Sequence, residues 1–570
     1  MDTSAAMEKF LSFFQGDSPA LHFIGKYGYK IYERRELIQM ETHLILSALF
    51  PIYIGSHASL RRPPSAEAPK KSKNGDEEDD EIKVDPIVEG LTPSDAIMFP
   101  VLAGITLAGL YFIIKWLKDP ALLNRILTWY FSGLGIFGVG RLAGDGLNVL
   151  TTFVFPSAWS SRKETYFIDQ ELSKQLVGDI SKSGIQKYRK FADGKTNPLA
   201  GPLSDIKFSK STTQSLWNLR ALLKNTWIFR GYIHNAINIK SRVRLNDAIG
   251  LVLGIIAITL YNTVGKTWWL TNLLGFGFCY GTLQLMSPTT FWTGSLVLAG
   301  LFIYDITMVF YTPLMVTVAT SLDVPIKLVF PGPKQGSMLG LGDVVLPGIM
   351  MAIALRFDLY LQYLRKQQIR TAQDLHTFGS PGNLPKDLIK KVYKAPYEAA
   401  TGVWGERFWT SYSSTTKTPA DGARFPKTYF YASVIGYITS MVTTLVVLKI
   451  FNHAQPALLY LVPGVLISLW ATALLRGEFK LMWEYTEDGS LESDWADVKA
   501  KREAEEKAEK EKSKKGKGDL EGRMDGDKKE VEDEKKELKE VVSGVQHING
   551  EADDTDEFSV SEEDDEDDKS

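Results

Sequence analysis

One cysteine, Cys279, stands among 570 residues, which excludes a disulfide framework and a multi-cysteine metal site. The seven histidines never fall in an HExxH pattern, so a zinc protease of that type lacks its ligands. GxSxG is also missing, which disfavours a serine hydrolase, and no Asn-x-Ser/Thr site for N-linked glycosylation occurs. Charge is scarce where it matters most. The formal net charge of -3 hides a division: residues 485–570 hold 32 acidic and 16 basic side chains, leaving 36 acids and 49 bases before them. That segment cannot bury a core and reads as a charged, largely disordered tail. What precedes it contains nearly uncharged apolar runs, which excludes an ordinary soluble protein.

A membrane span needs about 20 mostly apolar residues, since a helix rises about 1.5 Å per residue and the hydrocarbon layer is about 30 Å thick. The runs that meet this test extend from Glu36 to Ser56, Asp95 to Leu117, Ala121 to Val139, Asp247 to Val264, Trp268 to Met286, Trp292 to Val316, Ser337 to Tyr360, Tyr429 to Phe451 and Pro456 to Leu475. Lipid offers no partners to backbone amides, and these runs lack the short alternation of barrel strands, so the expected fold is an all-α polytopic membrane protein with nine transmembrane helices. Bases cluster in alternate connections: Arg61 and Arg62, Arg162 and Lys163, Arg242 and Arg244, Arg365 and Lys366, Arg424 and Lys427, Arg476 and Lys480. The positive-inside rule puts these in the cytosol and residues 1–35 in the lumen.

The expected organisation is three spans over 36–153 with a linker at 61–94, a cytosolic insertion at 154–246, a core at 247–359, a second insertion at 360–428, the last two spans at 429–484, and the tail. The stretches Lys187 to Phe191 and Trp217 to Arg230 mix aromatic and basic residues, as short helices on an anionic membrane surface would; a solvated loop with local helices has the same composition. Gly133-Leu-Gly-Ile-Phe-Gly138 has dinucleotide-fingerprint spacing but lies in an apolar helix, where packing is its role. Arg356 and Asp358, near the end of a span, are expected to reach for the interface. The basic residues match lipid head groups rather than nucleic acid.

Two acids fall where the membrane penalises them. Asp305 lies in the middle of the sixth run and Asp343 one or two turns into the seventh. Each costs about 2.5 to 3.5 kcal/mol on insertion scales, and no Lys or Arg in the apolar part of either run offers a partner. Each is then the other's nearest partner. Two carboxyls a few ångströms apart in a low-dielectric site cannot both ionise cheaply, so they hold one proton between them. Such a pair activates water with one oxygen and polarises a carbonyl with the other, which is aspartic-protease chemistry. The residues alone leave open a carboxylate-lined transporter or channel, or a catalytically idle escort of membrane proteins in quality control.

Tyr304-Asp305 in one span, Gly340-Leu341-Gly342-Asp343 in the next and Gln455-Pro456-Ala457-Leu458 at the start of the last resemble the three signature motifs, YD, GxGD and PAL, of the presenilin and signal peptide peptidase family of intramembrane aspartyl proteases. Met315-Val316-Thr317-Val318-Ala319, Pro325 to Pro331, Gly342-Asp343-Val344-Val345 and His453 to Pro463 resemble the signal peptide peptidase branch. The resemblance implies a presenilin-like fold and a protease of the endoplasmic reticulum membrane that cuts remnant signal peptides and type II-oriented segments. It implies Asp305 and Asp343 as the catalytic pair, with Tyr304, Gly340, Leu341, Gly342, Gln455, Pro456, Ala457 and Leu458 around the substrate cleft. It calls for no metal or other cofactor. The partners it implies are transmembrane peptide substrates, the bilayer, further copies of the chain and the degradation machinery of the reticulum.

Overall fold

The computed structural model describes residues 32, 34–67, 89–91, 93–117, 121–161, 164–180, 186–192, 194–233, 237–322, 327–332, 336–370, 391–411, 418–451 and 455–487. Most of the N-terminal segment, most of the linker, His453 and all of the tail beyond 487 lie outside them.

Apolar runs become helices because a helix satisfies its own amides. In chain order these are α1 (Arg35–Ala58), the short strand β1 (Glu89–Leu91), α2 (Pro93–Leu117) and α3 (Ala121–Val154). After α3 come β2 (Ala158–Ser161), β3 (Glu164–Asp169), β4 (Lys174–Ile180), β5 (Gln186–Phe191), α4 (Lys210–Lys224), β6 (Thr226–Ile233) and β7 (Ile237–Arg244). The chain returns with α5 (Leu245–Thr263), α6 (Trp268–Leu285), β8 (Met286–Pro288), α7 (Phe291–Phe310), α8 (Leu314–Ser321), β9 (Lys327–Phe330), β10 (Ser337–Gly340) and α9 (Gly342–Lys366). It ends with β11 (Gln368–Arg370), β12 (Lys391–Tyr393), α10 (Trp404–Trp409), α11 (Thr428–Phe451), α12 (Leu458–Leu475) and α13 (Phe479–Glu484).

Eight of these helices are long and apolar enough to cross a membrane: α1, α2, α3, α5, α7, α9, α11 and α12. The fifth expected span, Trp268 to Met286, forms the 18-residue helix α6 but is not among the eight. It holds Asn272 and Gln284, and buries Leu270, Leu274 and Leu283 against its neighbours. Helix α9 is the centre of the bundle, with 89% of its apolar window buried, whereas that of α2 has none. The exposed Ile97, Leu102, Ile105 and Phe112 of α2 form an apolar band that water would not tolerate and lipid does.

Several expectations are corrected by the fold. The third span is not confined to Ala121 to Val139: α3 has 34 residues and continues past Arg141 and Asp145, which pair at 3.1 Å while the Tyr280 hydroxyl donates to Asp145 at 2.8 Å. Paired with each other, these charges let the helix run on. The stretch expected to hold short helices is largely β. Strands β2-β3-β4-β5 make an antiparallel sheet and β6 and β7 a hairpin, while α4 and a 3-10 turn at Gly201–Asp205 are helical there. Thr165-Tyr166-Phe167-Ile168 has the β-branched and aromatic content of a strand. Trp159 stacks on Tyr166 at 4.4 Å and donates its indole N–H to Gln175, making a small core with Ile168 and Trp217. Arg356 and Asp358 do not reach the interface; both are buried. Asp358 accepts from the first amides of α11, those of Tyr429 and Phe430, at 3.2 and 3.0 Å.

The glycines of the fingerprint-like stretch are packing residues. A Cβ on Gly138 would lie 2.6 Å from the Gly277 carbonyl oxygen of α6, and one on Gly135 would lie 2.9 Å from Ile258 of α5, while Gly133 faces open space. Gly138→Leu is therefore expected to separate α3 from α6 and destabilise the chain by about 1–3 kcal/mol or more, while Gly133→Leu has little effect. Thermal unfolding of the two variants in the same detergent checks this.

Candidate active site

The apolar run of α7 carries Asp305 about four turns below its N-terminal cap, Thr290, whose hydroxyl accepts from the Thr293 amide at 3.1 Å. At this depth the carboxyl is 3% exposed. The last expected span does not begin as a helix: Gln455 and Pro456 precede a turn at Ala457, and α12 starts at Leu458. That entry leaves the first amide of α12 without an intrahelical partner, and it is aimed at the acid: Leu458 N–H donates to Asp305 Oδ2 at 3.1 Å. Pro456 and Leu458 are buried and Ala457 is half-buried.

Asp343 arrives by a different route. Its stretch was expected to be helical from Ser337, but Ser337–Gly340 is β10, paired antiparallel with β9 in the register Ser337↔Phe330 to Gly340↔Lys327. Asn272 of α6 clamps the other edge of β9, accepting from Val329 N–H at 2.7 Å and donating to its carbonyl at 2.9 Å. Leu341 links the strand to the helix and packs on α6, so Asp343 lies in the first turn of α9 rather than one or two turns inside it. Its backbone carbonyl accepts from the hydroxyl of Tyr437, a fully buried side chain of α11, at 3.3 Å. Helices α7 and α9 pack against each other, which sets Asp305 and Asp343 on neighbouring helices. Neither carboxyl has an ion-pair partner among the described residues.

The motif glycines differ in what they do. A Cβ on Gly340 would sit 3.4 Å from Asp343 Oδ2, whereas one on Gly342 meets nothing within 4 Å. Gly340 leaves room for the carboxyl, and Gly342 keeps open a space. That space is an apolar cavity of about 250 Å³ between α2, α6, α7 and α9, bordered by Phe99, Leu298, Leu341, Gly342 and Val345. Tyr304 lies against Gly104 of α2. Tyr437 and Asn272 carry no motif. Their only trace in the sequence is polarity inside an apolar run, which obliges a buried hydroxyl or amide to find a partner.

Comparison with known proteins shows the family. The signal peptide peptidase family model matches residues 83–489, and the chain belongs to that family. It is 28% identical to human signal peptide peptidase over 452 residues, covering 78% of this chain and 82% of the human protein. To the mouse signal peptide peptidase it is 28% identical over 471 residues, 81% and 87% of the two chains. Intramembrane protease 2 of Caenorhabditis elegans is 30% identical over 246 residues, 42% of each. The fold is that of a polytopic helical membrane protein, and the activity is that of an intramembrane aspartyl protease acting on transmembrane substrates.

Proposed function

We propose that Asp305 and Asp343 are the catalytic pair and that Gly340, Leu341, Gly342, Gln455, Pro456, Ala457 and Leu458 build the cleft around it. The observation that carries this reading is the hydrogen bond from Leu458 N–H to Asp305, because it brings the last motif onto the first at the helix pair that also holds Asp343. The donor favours negative charge on the Asp305 side of the pair, leaving the shared proton on Asp343. Asp305 takes a proton from water as the water oxygen attacks the scissile carbonyl carbon. Asp343 gives its proton to the carbonyl oxygen, and a neutral gem-diol forms. Collapse breaks the C–N bond, the amine leaves with the proton held by Asp305, and Asp343 regains one from the diol.

A substrate helix hides its carbonyls in its own hydrogen bonds and must unwind before attack. The outer edge of β10 has no strand beside it among the described residues, and it leads straight to Asp343. The unwound segment adds there as a strand, its amides pairing with those of Ser337–Gly340. Tyr304 steadies α7 against α2, and an apolar substrate segment lodges in the cavity of about 250 Å³.

The substrates are remnant signal peptides and type II-oriented segments in the endoplasmic reticulum membrane. Helix α6 is read as a span too, the fifth of nine in chain order. An odd count places the termini on opposite sides, and the basic connections place the N-terminus in the lumen and the C-terminus in the cytosol. Further copies of the chain and the degradation machinery of the reticulum are the partners of this reading. Purified protein in detergent is expected to cut a signal-peptide-like spanning peptide and to stop when an aspartic-protease transition-state inhibitor is added. Cleavage that ignores the inhibitor, or none at all, overturns the proposal.

A further inference from the structure

Beyond the last spanning helix, three consecutive residues turn back into the protein. Tyr485 is 3% exposed and packs its ring on Phe291, the first residue of α7, at 5.7 Å, and on Phe357 and Tyr360 of α9 at 5.2 and 5.1 Å. Thr486 forms a β-bridge with Thr290, the cap of α7, and Glu487 N–H donates to the Thr289 carbonyl at 3.0 Å. The Glu487 side chain, 4% exposed, accepts from Ser287 just before α7 and pairs with Arg356 of α9 and, at 2.5 Å, with Arg61 beyond α1. Ser59 hydrogen-bonds the same Arg356 guanidinium at 3.2 Å. Burial alone raises the Glu487 carboxyl, but the Arg356 and Arg61 charges beside it hold it below its ordinary value.

The position of this cluster gives it a consequence for the reaction. Thr290 precedes Asp305 by 15 residues on α7, and Arg356 follows Asp343 by 13 residues on α9. At 1.5 Å per residue the cluster lies about 22 Å and about 20 Å along the two helices from the aspartates. The two aspartates and the cluster thus lie at two levels of the same antiparallel helix pair. A slide of α7 against α9 changes both, and close-packed helices transmit such a slide rather than absorb it.

We infer that Tyr485–Glu487 is a clip that sets the register of α7 against α9, with Glu487 a positioning residue for the two aspartates. This rests on the catalytic assignment above. Glu487 stays far from the cleft, so its removal leaves substrate capture alone and disturbs the alignment of the carboxyls, where a displacement of a fraction of an ångström is costly.

The test uses the full-length chain purified in detergent, with initial rates of cleavage of a spanning peptide over a range of concentrations. Binding of a labelled aspartic-protease transition-state inhibitor, which engages both carboxyls, is the second readout. Glu487→Ala is expected to lower kcat about tenfold with KM within about twofold, and to weaken inhibitor binding in step. Ser287→Ala loses one contact of the cluster and should give a smaller change of the same kind. Glu487→Asp, which keeps the charge, should recover most of the rate. An unchanged kcat in folded Glu487→Ala, a rise in KM that accounts for the loss, or no recovery with Asp overturns the clip. If Glu487→Ala does not fold, leaving Arg356 buried and unpaired, Ser287→Ala decides by the same split between kcat and KM. A wild-type chain that cuts nothing sinks the catalytic assignment instead, and wild-type cleavage with unaltered variants sinks the clip alone.

Discussion

Asp305→Asn and Asp343→Asn are each expected to lower kcat for a spanning peptide by on the order of 10³- to 10⁴-fold, the scale of general acid–base catalysis, and to make the double variant little worse than either single one. The substitution keeps the shape of the side chain and its capacity to accept a hydrogen bond, so the Leu458 amide retains a partner and the fold survives. What is lost is the shared proton, since an amide neither accepts one from water nor gives one to a carbonyl. The measurement is single-turnover cleavage by variants that elute as monodisperse as the wild-type chain. A carboxylate-lined channel predicts the reverse pattern, with no cleavage in the unmutated protein and ion flux altered by the same changes. Cleavage retained by either single variant would remove that residue from the catalytic pair.

How much of this could be read beforehand depends on which force decides each feature. The apolar runs of α2, α5, α11 and α12 closely match their helices because transfer into lipid acts on every residue of a run. Helix α7 ends at Phe310, short of its run, just before Pro313; two other runs failed to match where a local partner overrode hydropathy. Helix α3 outlasts its apolar stretch because Arg141, Asp145 and Tyr280 satisfy one another. The seventh run divides at Leu341 because Asn272, far away in the chain, clamps β9 and so holds β10 extended. Arg356 looked like an interfacial side chain since its partner, Glu487, lies 131 residues on at the root of an acidic tail. The two aspartates were legible for the opposite reason. A charge in lipid is conspicuous in any window, with no need to know what it touches.

A single backbone amide is expected to matter nearly as much as a catalytic side chain. Replacing Leu458 by its α-hydroxy analogue, leucic acid, exchanges the N–H for an ester oxygen while keeping the side chain that is buried in the core. Leu458 is the first residue of α12, so its N–H makes no bond within the helix, and α12 itself loses nothing. Asp305 loses this backbone donor and faces an ester oxygen that repels it. Hydrogen bonds to charged groups contribute about 1.5–3 kcal/mol, so kcat should fall roughly 10- to 100-fold, with a smaller change in KM. The direction follows from where charge sits: without the amide, negative charge on the Asp305 side of the pair is less favoured, and the proton spends more time on the oxygen that must accept one from water. Pro456→Ala tests the same contact from the other side, because the ring constrains the entry that aims the amide, and its loss should give a weaker defect of the same sign. An ester at 458 that cuts at the wild-type rate would show that Pro456 to Leu458 serves only to pack the helix end, and that the negative charge of the pair is placed by something else.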